Sequence, residues 1–253
     1  MNWKPTQIVE MEKSLIMDRS LLVVIPAFNE EDVLGRTLDE LLQEVPGDQV
    51  LVVSDGSTDK TSQIVNDRKI NLLELPFNLG VGAAMRSGFQ FAKENGFQKV
   101  IQFDADLQHQ PKYIKEIVSE LDNYDVVVGS RFAANSSYKV SFVRNLAMRL
   151  LKDSVTRHIG RKMTDVTSGF RGANKTAIDV FVDFYPSEYL ADTVESLIMA
   201  HDKGLTISEI AVTMQERQGG EPSQSIFRST LYLFRSILLI IATLKVKPRK
   251  DKL

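Results

Sequence analysis

Residues 99–109, Lys-Val-Ile-Gln-Phe-Asp-Ala-Asp-Leu-Gln-His, decide how the chain is read. The short apolar run Val100–Phe103 breaks off into a polar cluster holding two carboxylates, Asp104 and Asp106. The run has the length and composition of a buried strand, and the cluster reads as the turn at its carboxyl end. The same alternation recurs on either side. Leu21–Ile25, Val50–Val53, Leu72–Leu75 and Val126–Val128 are further candidate strands, followed by the polar segments Pro26–Glu30, Asp55–Asp59, Asn78–Gly82 and Gly129–Arg131. Between them Glu30–Gln43, Asp59–Asp67, Gly82–Asn95 and Lys112–Leu121 show helical apolar spacing, as in the stripe Val33, Leu34, Leu38, Leu41 and Leu42. This alternation predicts right-handed βαβ units: an α/β, Rossmann-like fold with a mainly parallel central sheet flanked by helices. Ligands bind beyond the carboxyl ends of strands in such a sheet, so five polar loops converge on one rim.

After residue 140 the texture turns helical over Val140–His158, Asn174–Phe184 and Thr193–Lys203. A strand-like Ile207–Val212 and a polar loop Gln215–Ser225 follow. Residues 226–253 carry seven basic side chains against the single Asp251, around an apolar stretch Leu231–Leu244 interrupted by Arg235. A membrane-spanning helix needs about 20 apolar residues, so this stretch suits an amphipathic helix lying at an interface beside anionic headgroups. A core-packing terminal helix with a solvated tail fits the pattern equally well. The division expected is an N-terminal extension at 1–20, one α/β domain at 21–225 and the C-terminal apolar and basic segment at 226–253.

Composition narrows the function classes. Of 253 residues, 31 are Lys or Arg and 33 are Asp or Glu, a net charge of −2, so no basic excess points to nucleic acid. With no cysteine, disulfides, thiolate metal sites and cysteine nucleophiles are excluded. The first 20 residues hold Lys4, Glu10, Glu12, Lys13, Asp18 and Arg19 and no continuous apolar segment, so no secretory signal is visible and a cytoplasmic body is expected. The three histidines are too dispersed for a zinc motif, and the glycine spacing matches neither a dinucleotide fingerprint nor a Walker loop.

The chemistry centres on Asp104-Ala105-Asp106. Alternation along an extended segment puts both carboxylates on one side, where they can share a hard divalent cation, Mg²⁺ or Mn²⁺, with the phosphates of a substrate. Gln108 and His109 stand where they could complete or support that arrangement. Asp55-Gly56-Ser57-Thr58-Asp59 offers carboxylates to a ribose or base and backbone N–H groups to an anion, and Asn78-Leu79-Gly80-Val81-Gly82 combines tight-turn glycines with a helix start. Each cluster alone also reads as a capped turn.

Pro26-Ala27-Phe28-Asn29-Glu30, Asp55–Asp59, Asn78–Ala83, Asp104–His109, Gly129-Ser130-Arg131 and Thr167-Ser168-Gly169-Phe170-Arg171 resemble, in order and spacing, the family 2 GT-A glycosyltransferases. Within them the chain is most similar to the polyprenyl-phosphate sugar transferases typified by dolichol-phosphate mannosyltransferase. The resemblance spans about residues 21–225. It implies that Pro26, Ala27, Asn29, Glu30, Asp55, Gly80, Gly82 and Asp104 bind the donor nucleotide. It further implies that Asp104, Asp106 and Gln108 hold the metal, that Arg131 meets an acceptor phosphate and that Arg217 lies in the acceptor loop. Two departures stand out. Val81 occupies the glycine-rich loop where the family often has Lys, and the loop after Arg217 is stretched into Gly220–Ser225.

The activity this implies is an inverting, metal-dependent transfer from a nucleoside-diphosphate sugar, with uridine the expected base, to an undecaprenyl or dolichyl phosphate. The expected partners are the two substrates and a membrane surface or small membrane protein, with a homo-oligomer allowed and no nucleic acid. The expected location is peripheral, at the inner face of the cell membrane. Arg144, on the helix Val140–His158, is a further candidate for the lipid phosphate. If the acceptor is instead a saccharide hydroxyl, as in cell-surface polysaccharide synthesis, a general base is needed. Asp192 and Glu195, three residues apart and hence on one α-helical face, are the candidates. A catalytically silent sugar-nucleotide-binding subunit is the other alternative; Asp104, Asp106 and Arg217 together argue against it.

Overall fold

A computed structural model describes residues 19–131, 142–186 and 191–215. Seven strands form one sheet: β1 (Leu22–Ala27), β2 (Val50–Asp55), β3 (Asn71–Leu75), β4 (Lys99–Gln102), β5 (Val126–Ser130), β6 (Arg171–Asn174) and β7 (Ile207–Ala211), in the order β3-β2-β1-β4-β6-β5-β7. All pairings are parallel except those of β6, which runs antiparallel between β4 and β5. Between the strands lie α1 (Leu34–Leu41), α2 (Thr61–Asp67), α3 (Val81–Glu94), α4 (Ile114–Glu120), α5 (Phe142–Ile159), α6 (Lys175–Phe184) and α7 (Ser196–Asp202). No helix among the described residues is long and apolar enough to cross a membrane.

The continuous apolar runs are explained by burial on both faces. In β1, Leu22 and Val24 point into one apolar layer with Met85 and Phe89 of α3 and Phe181 of α6, while Val23 and Ile25 point into the other with Leu34, Leu38 and Leu41 of α1 and Ile117 of α4. Each of these strand residues is completely buried, at about 1.5–3 kcal/mol per side chain removed from water. Helix α3 approaches so closely that a Cβ at Gly88 would meet Val24 at 2.5 Å.

The expected strands and helices are present, with shifted ends. Strand β1 runs on through Pro26 and Ala27, α1 begins at Leu34 and not at Glu30, and α2 begins at Thr61 and not at Asp59. One strand departs from the expectation of helical texture after residue 140. Arg-Gly-Ala-Asn of β6 has no β-branched residue and is only four long, yet it sits buried in the middle of the sheet. Gly172 is there because a Cβ would stand 2.5 Å from Ile117 of α4 and 2.8 Å from Leu121 just beyond it. The C-terminal segment 226–253 and most of the extension 1–20 lie outside the described residues.

Candidate active site

Topology brings the polar segments to one edge. Parallel β1, β2, β3, β4 and β5 deliver residues 26–30, 55–59, 78–82, 104–109 and 129–131 to the carboxyl rim. Because β6 is antiparallel, the segment 164–170 that feeds it begins at that same rim. Strand β7, parallel to β5, ends there too and delivers residues 212–215.

The first two loops are stitched together. Asn29 takes a positive φ of 52°, tolerable for asparagine. Its backbone N–H donates to Ser57 Oγ at 3.1 Å and its amide oxygen accepts from Thr58 N–H at 2.8 Å. Glu30 N–H donates to Thr61 Oγ1, Glu31 N–H to an Asp59 carboxylate oxygen and Lys60 N–H to Glu31. Asp55, 3% exposed, holds the third loop: one carboxylate oxygen accepts from Leu79 N–H and the other from Gly80 N–H, both at 2.8 Å. The adjoining Gly56 has φ +69°, and a Cβ there would meet the Phe77 carbonyl carbon at 2.5 Å. Gly80 has φ 92° and Gly82 lies buried in the first turn of α3.

The carboxylate loop after β4 is similarly fixed. Thr37 of α1 donates from its hydroxyl to the Ala105 carbonyl, Gln108 N–H donates to Asp106 Oδ1 at 3.1 Å, and Leu107 turns the chain at φ 64°. Asp106 is 8% exposed, whereas the Asp104 side chain is 34% exposed. Asp106 therefore does cap a turn, while Asp104 is the more accessible of the two. Of the two ways in which His109 was expected to serve the carboxylates, completing or supporting their arrangement, its surroundings fit support. It is buried, stacked on Phe170 at 4.7 Å and edge-on to Phe103 at 5.4 Å. Its Nδ1 accepts from Asp104 N–H at 2.9 Å, which assigns the ring proton to Nε2. Burial holds the imidazole below its ordinary range against the opposing pull of Asp104 and Asp106. The ring is neutral, so its 3.5 Å approach to Asp104 Oδ2 is a dipole facing a carboxylate, not an ion pair.

Arg131 is committed to a partner that the sequence did not suggest. Its Nε and Nη2 donate to the two oxygens of Asp165 at 2.7 and 3.0 Å, and Nη2 also reaches Thr167 Oγ1 at 2.8 Å. Burial, the largest influence on Asp165, raises its carboxyl, but the Arg131 guanidinium and the Arg131 and Thr167 N–H donors outweigh it and hold the group below the usual carboxylate range. Glu209 of β7 supports this segment by accepting from Thr164 N–H and Asp165 N–H. Arg171 closes the motif from behind, donating to the carbonyls of Val166, Ser168 and Thr193 and to Ser196 Oγ.

Asp192 and Glu195 fall in a π-helical turn, Ala191–Glu195, where their spacing had assumed an α-helix. Arg144 is on α5, and its side chain is not among those described. Arg217 lies outside the described residues. The chain leads toward it from Gln215, whose N–H donates to the Gln108 carbonyl at 3.0 Å, and from Thr213, whose carbonyl accepts from Gln110 at 2.7 Å.

Asp165, Glu209 and Gln102 were missed from sequence. The signal for Gln102 was present: a single amide in the apolar run Val100–Phe103, now 4% exposed with its Nε2 3.3 Å from Asp104 Oδ1.

Residues 22–182, more than half of the chain, match the family model described as glycosyl transferase family 2. The chain belongs to glycosyl transferase family 2. This family 2 glycosyltransferase is 30% identical over 213 residues to an uncharacterized protein of Methanocaldococcus jannaschii, covering 82% of this chain and 84% of that one. It is 28% identical over 219 residues to the undecaprenyl-phosphate mannosyltransferase of Micrococcus luteus, covering 81% and 87% of the two chains. Its similarity to the polyprenyl-phosphate sugar transferases thus extends over most of both sequences. Among solved structures, glucosyl-3-phosphoglycerate synthase of Mycobacterium tuberculosis, in complex with Mn²⁺, uridine diphosphate and phosphoglyceric acid, superposes with a TM-score of 0.69 at 19% identity, covering 99% of this chain and 85% of that one. The fold of this family 2 glycosyltransferase is GT-A.

Proposed function

We propose that this glycosyltransferase moves a sugar, with inversion, from a nucleoside-diphosphate sugar to a polyprenyl phosphate at a membrane surface. The donor assigned is a UDP-sugar, in keeping with the uridine diphosphate bound by the M. tuberculosis synthase. The acceptor class follows the M. luteus relative. The observation that carries the reading is the rim itself: Asp104 and Asp106 stand at the end of β4, between the hydrogen-bonded cradle of residues 26–30, 55–59 and 78–82 and the segment 212–215 that continues to Arg217.

The donor set fits a divalent cation. Asp104, Asp106 and Gln108 offer oxygen donors, which suit Mg²⁺ or Mn²⁺. No three acidic or histidine side chains gather into a complete cage among the described residues, so phosphate and water oxygens must supply the remainder. Gly169 fits the same picture, since its missing Cβ leaves the space that the Asp104 carboxylate occupies. A cation bound there neutralises charge that builds on the departing diphosphate. The loops at 26–30, 55–59 and 78–82 hold the nucleotide, with Asp55 acting through the backbone of Leu79 and Gly80.

An acceptor phosphate oxygen attacks the anomeric carbon as the bond from that carbon to the donor phosphate oxygen breaks, and the bonding pair leaves with the nucleoside diphosphate. The acceptor is already an anion, so no proton has to be removed. What it requires is positive charge in position, which we assign to Arg131, Arg144 and Arg217. Arg131 is held for this by Asp165. Asp192 and Glu195 carry the base role only if the acceptor is a hydroxyl. The segment 226–253 supplies the membrane contact.

The decisive experiment offers UDP- and GDP-sugars with undecaprenyl phosphate or with simple glycosides and follows the sugar by mass. A sugar-phosphoryl-lipid product is expected. Transfer to glycosides with no lipid product overturns the reading.

A further inference from the structure

The Asp104 carboxylate is enclosed on three sides, by Gln102, His109 and Gly169. Gln102 precedes it by two residues, and on an extended strand that spacing puts both side chains on one side. Gln102 is buried and its Nε2 donates to Asp104 Oδ1 at 3.3 Å. His109 returns beneath the same residue because Leu107 reverses the chain at a positive φ. Its Nδ1 accepts the Asp104 N–H, and its Nε2–H faces Oδ2 at 3.5 Å. The ring cannot turn away, being stacked on Phe170 with an interplanar angle of 17° and flanked by Phe103 at 82°. Gly169 closes the third side, where a Cβ would stand 2.9 Å from Oδ2 and 3.2 Å from Gln102 Nε2. The fourth side faces the rim.

We propose that Gln102 and His109 are positioning residues for the transfer reaction, orienting the Asp104 carboxylate from one oxygen each so that it meets the donor's cation in a single rotamer. Neither touches substrate. The inference rests on the reading that Asp104 takes part in holding that cation. Contacts of 3.3 and 3.5 Å are long for hydrogen bonds, as is common before a ligand arrives, and they tighten in the complex. Partners of this kind fix the direction of a coordinating carboxylate, and their loss typically weakens metal affinity by about 10–100-fold.

The test uses the full chain, with Mn²⁺ as probe in the presence of UDP, free Mn²⁺ being read by electron paramagnetic resonance and each variant's melting temperature recorded alongside. Gln102→Leu and His109→Phe keep these sites filled but remove the donors. His109→Gln restores an N–H near the position of Nε2. Weakening of Mn²⁺ affinity by about 10–100-fold is expected in Gln102→Leu and His109→Phe, with partial recovery in His109→Gln. Asp104→Ala is the control. If Asp104→Ala has lost Mn²⁺ while Gln102→Leu and His109→Phe bind it as the wild type does, the positioning role is overturned and the cation reading stands. If Asp104→Ala itself binds Mn²⁺ with wild-type affinity, the cation reading fails and this inference falls with it. Should His109→Phe not fold, Gln102→Leu alone decides.

Discussion

Gly169 lies against the carboxylate of Asp104 so closely that a methyl group on it would stand 2.9 Å from Oδ2 and 3.3 Å from Oδ1. The atoms it would strike are the end of a flexible side chain, so Gly169→Ala is expected to leave the fold intact and turn Asp104 aside. A displacement approaching 1 Å in a reacting geometry costs on the order of 10²-fold in rate. Steady-state kinetics beside a thermal melt check this; full activity in a folded Gly169→Ala would show that Asp104 tolerates the shift.

Asp55 leads to a different outcome. Its two oxygens both accept backbone N–H groups, and an amide can accept through only one of them. Asp55→Asn should therefore loosen the Leu79–Gly80 turn nearly as much as Asp55→Ala, raising the KM for donor in both. An Asn variant with wild-type KM would mean that the loop does not depend on this grip.

Asp106→Asn should lower kcat/KM by orders of magnitude, since charge stabilisation at the diphosphate is worth several kcal/mol. Activity of the wild type should vanish in excess chelator and return with Mg²⁺ or Mn²⁺. Undiminished turnover of the variant in chelator would remove the cation from the reaction.

The Arg131–Asp165 pair gives a pH dependence. The folded-state carboxyl lies below its unfolded value near about 3.9, so the stability it contributes is present above that pH and is lost as pH falls through the folded value. Breaking a buried pair from one side costs roughly 3–5 kcal/mol. Melting curves from pH 8 to pH 2 should show wild type well above Asp165→Asn near neutrality, with the gap closing only below about pH 4. A gap that is constant down to pH 2 would contradict the pairing.

The basic and apolar C-terminal segment is expected to bind anionic bilayers. Vesicle co-sedimentation of the full chain against a form ending at Gln224 makes the comparison directly. Equal and negligible binding by both would reduce Leu231–Leu244 to ordinary packing.

Legibility from sequence followed burial. Leu22–Ile25, Val50–Val53 and Val126–Val128 are covered on both faces, so their apolar runs announced themselves. Strand β6 did not, because its centre is Gly-Ala, chosen for the closeness of α4 and not for β propensity. Among candidate site residues, the place of Asp104 and Asp106 at a strand end was readable. The partnership of Arg131 with Asp165 joins residues 34 apart through a reversed strand, and no local pattern encodes it. The π-turn at Asp192 and Glu195 was not legible, because apolar spacing does not distinguish its winding from that of an α-helix.

The reversed strand β6 also fixes when the enzyme can come into being. Among the described residues β4 and β5 are not neighbours; the four residues 171–174 of β6 stand between the β3-β2-β1-β4 half of the sheet and the β5-β7 half. As the chain leaves the ribosome, the loops at 26–30, 55–59 and 78–82 can assemble on the first half by local βα contacts. The Gly169 and Phe170 side of Asp104 arrives only when residue 174 has emerged, and β7 must wait for residue 211. Pairing over such sequence distances is slow. A nascent chain can therefore order the loops at 26–30, 55–59 and 78–82 before the β6 side of Asp104 exists, and a lesion in the β6 seam should arrest maturation with those loops already formed.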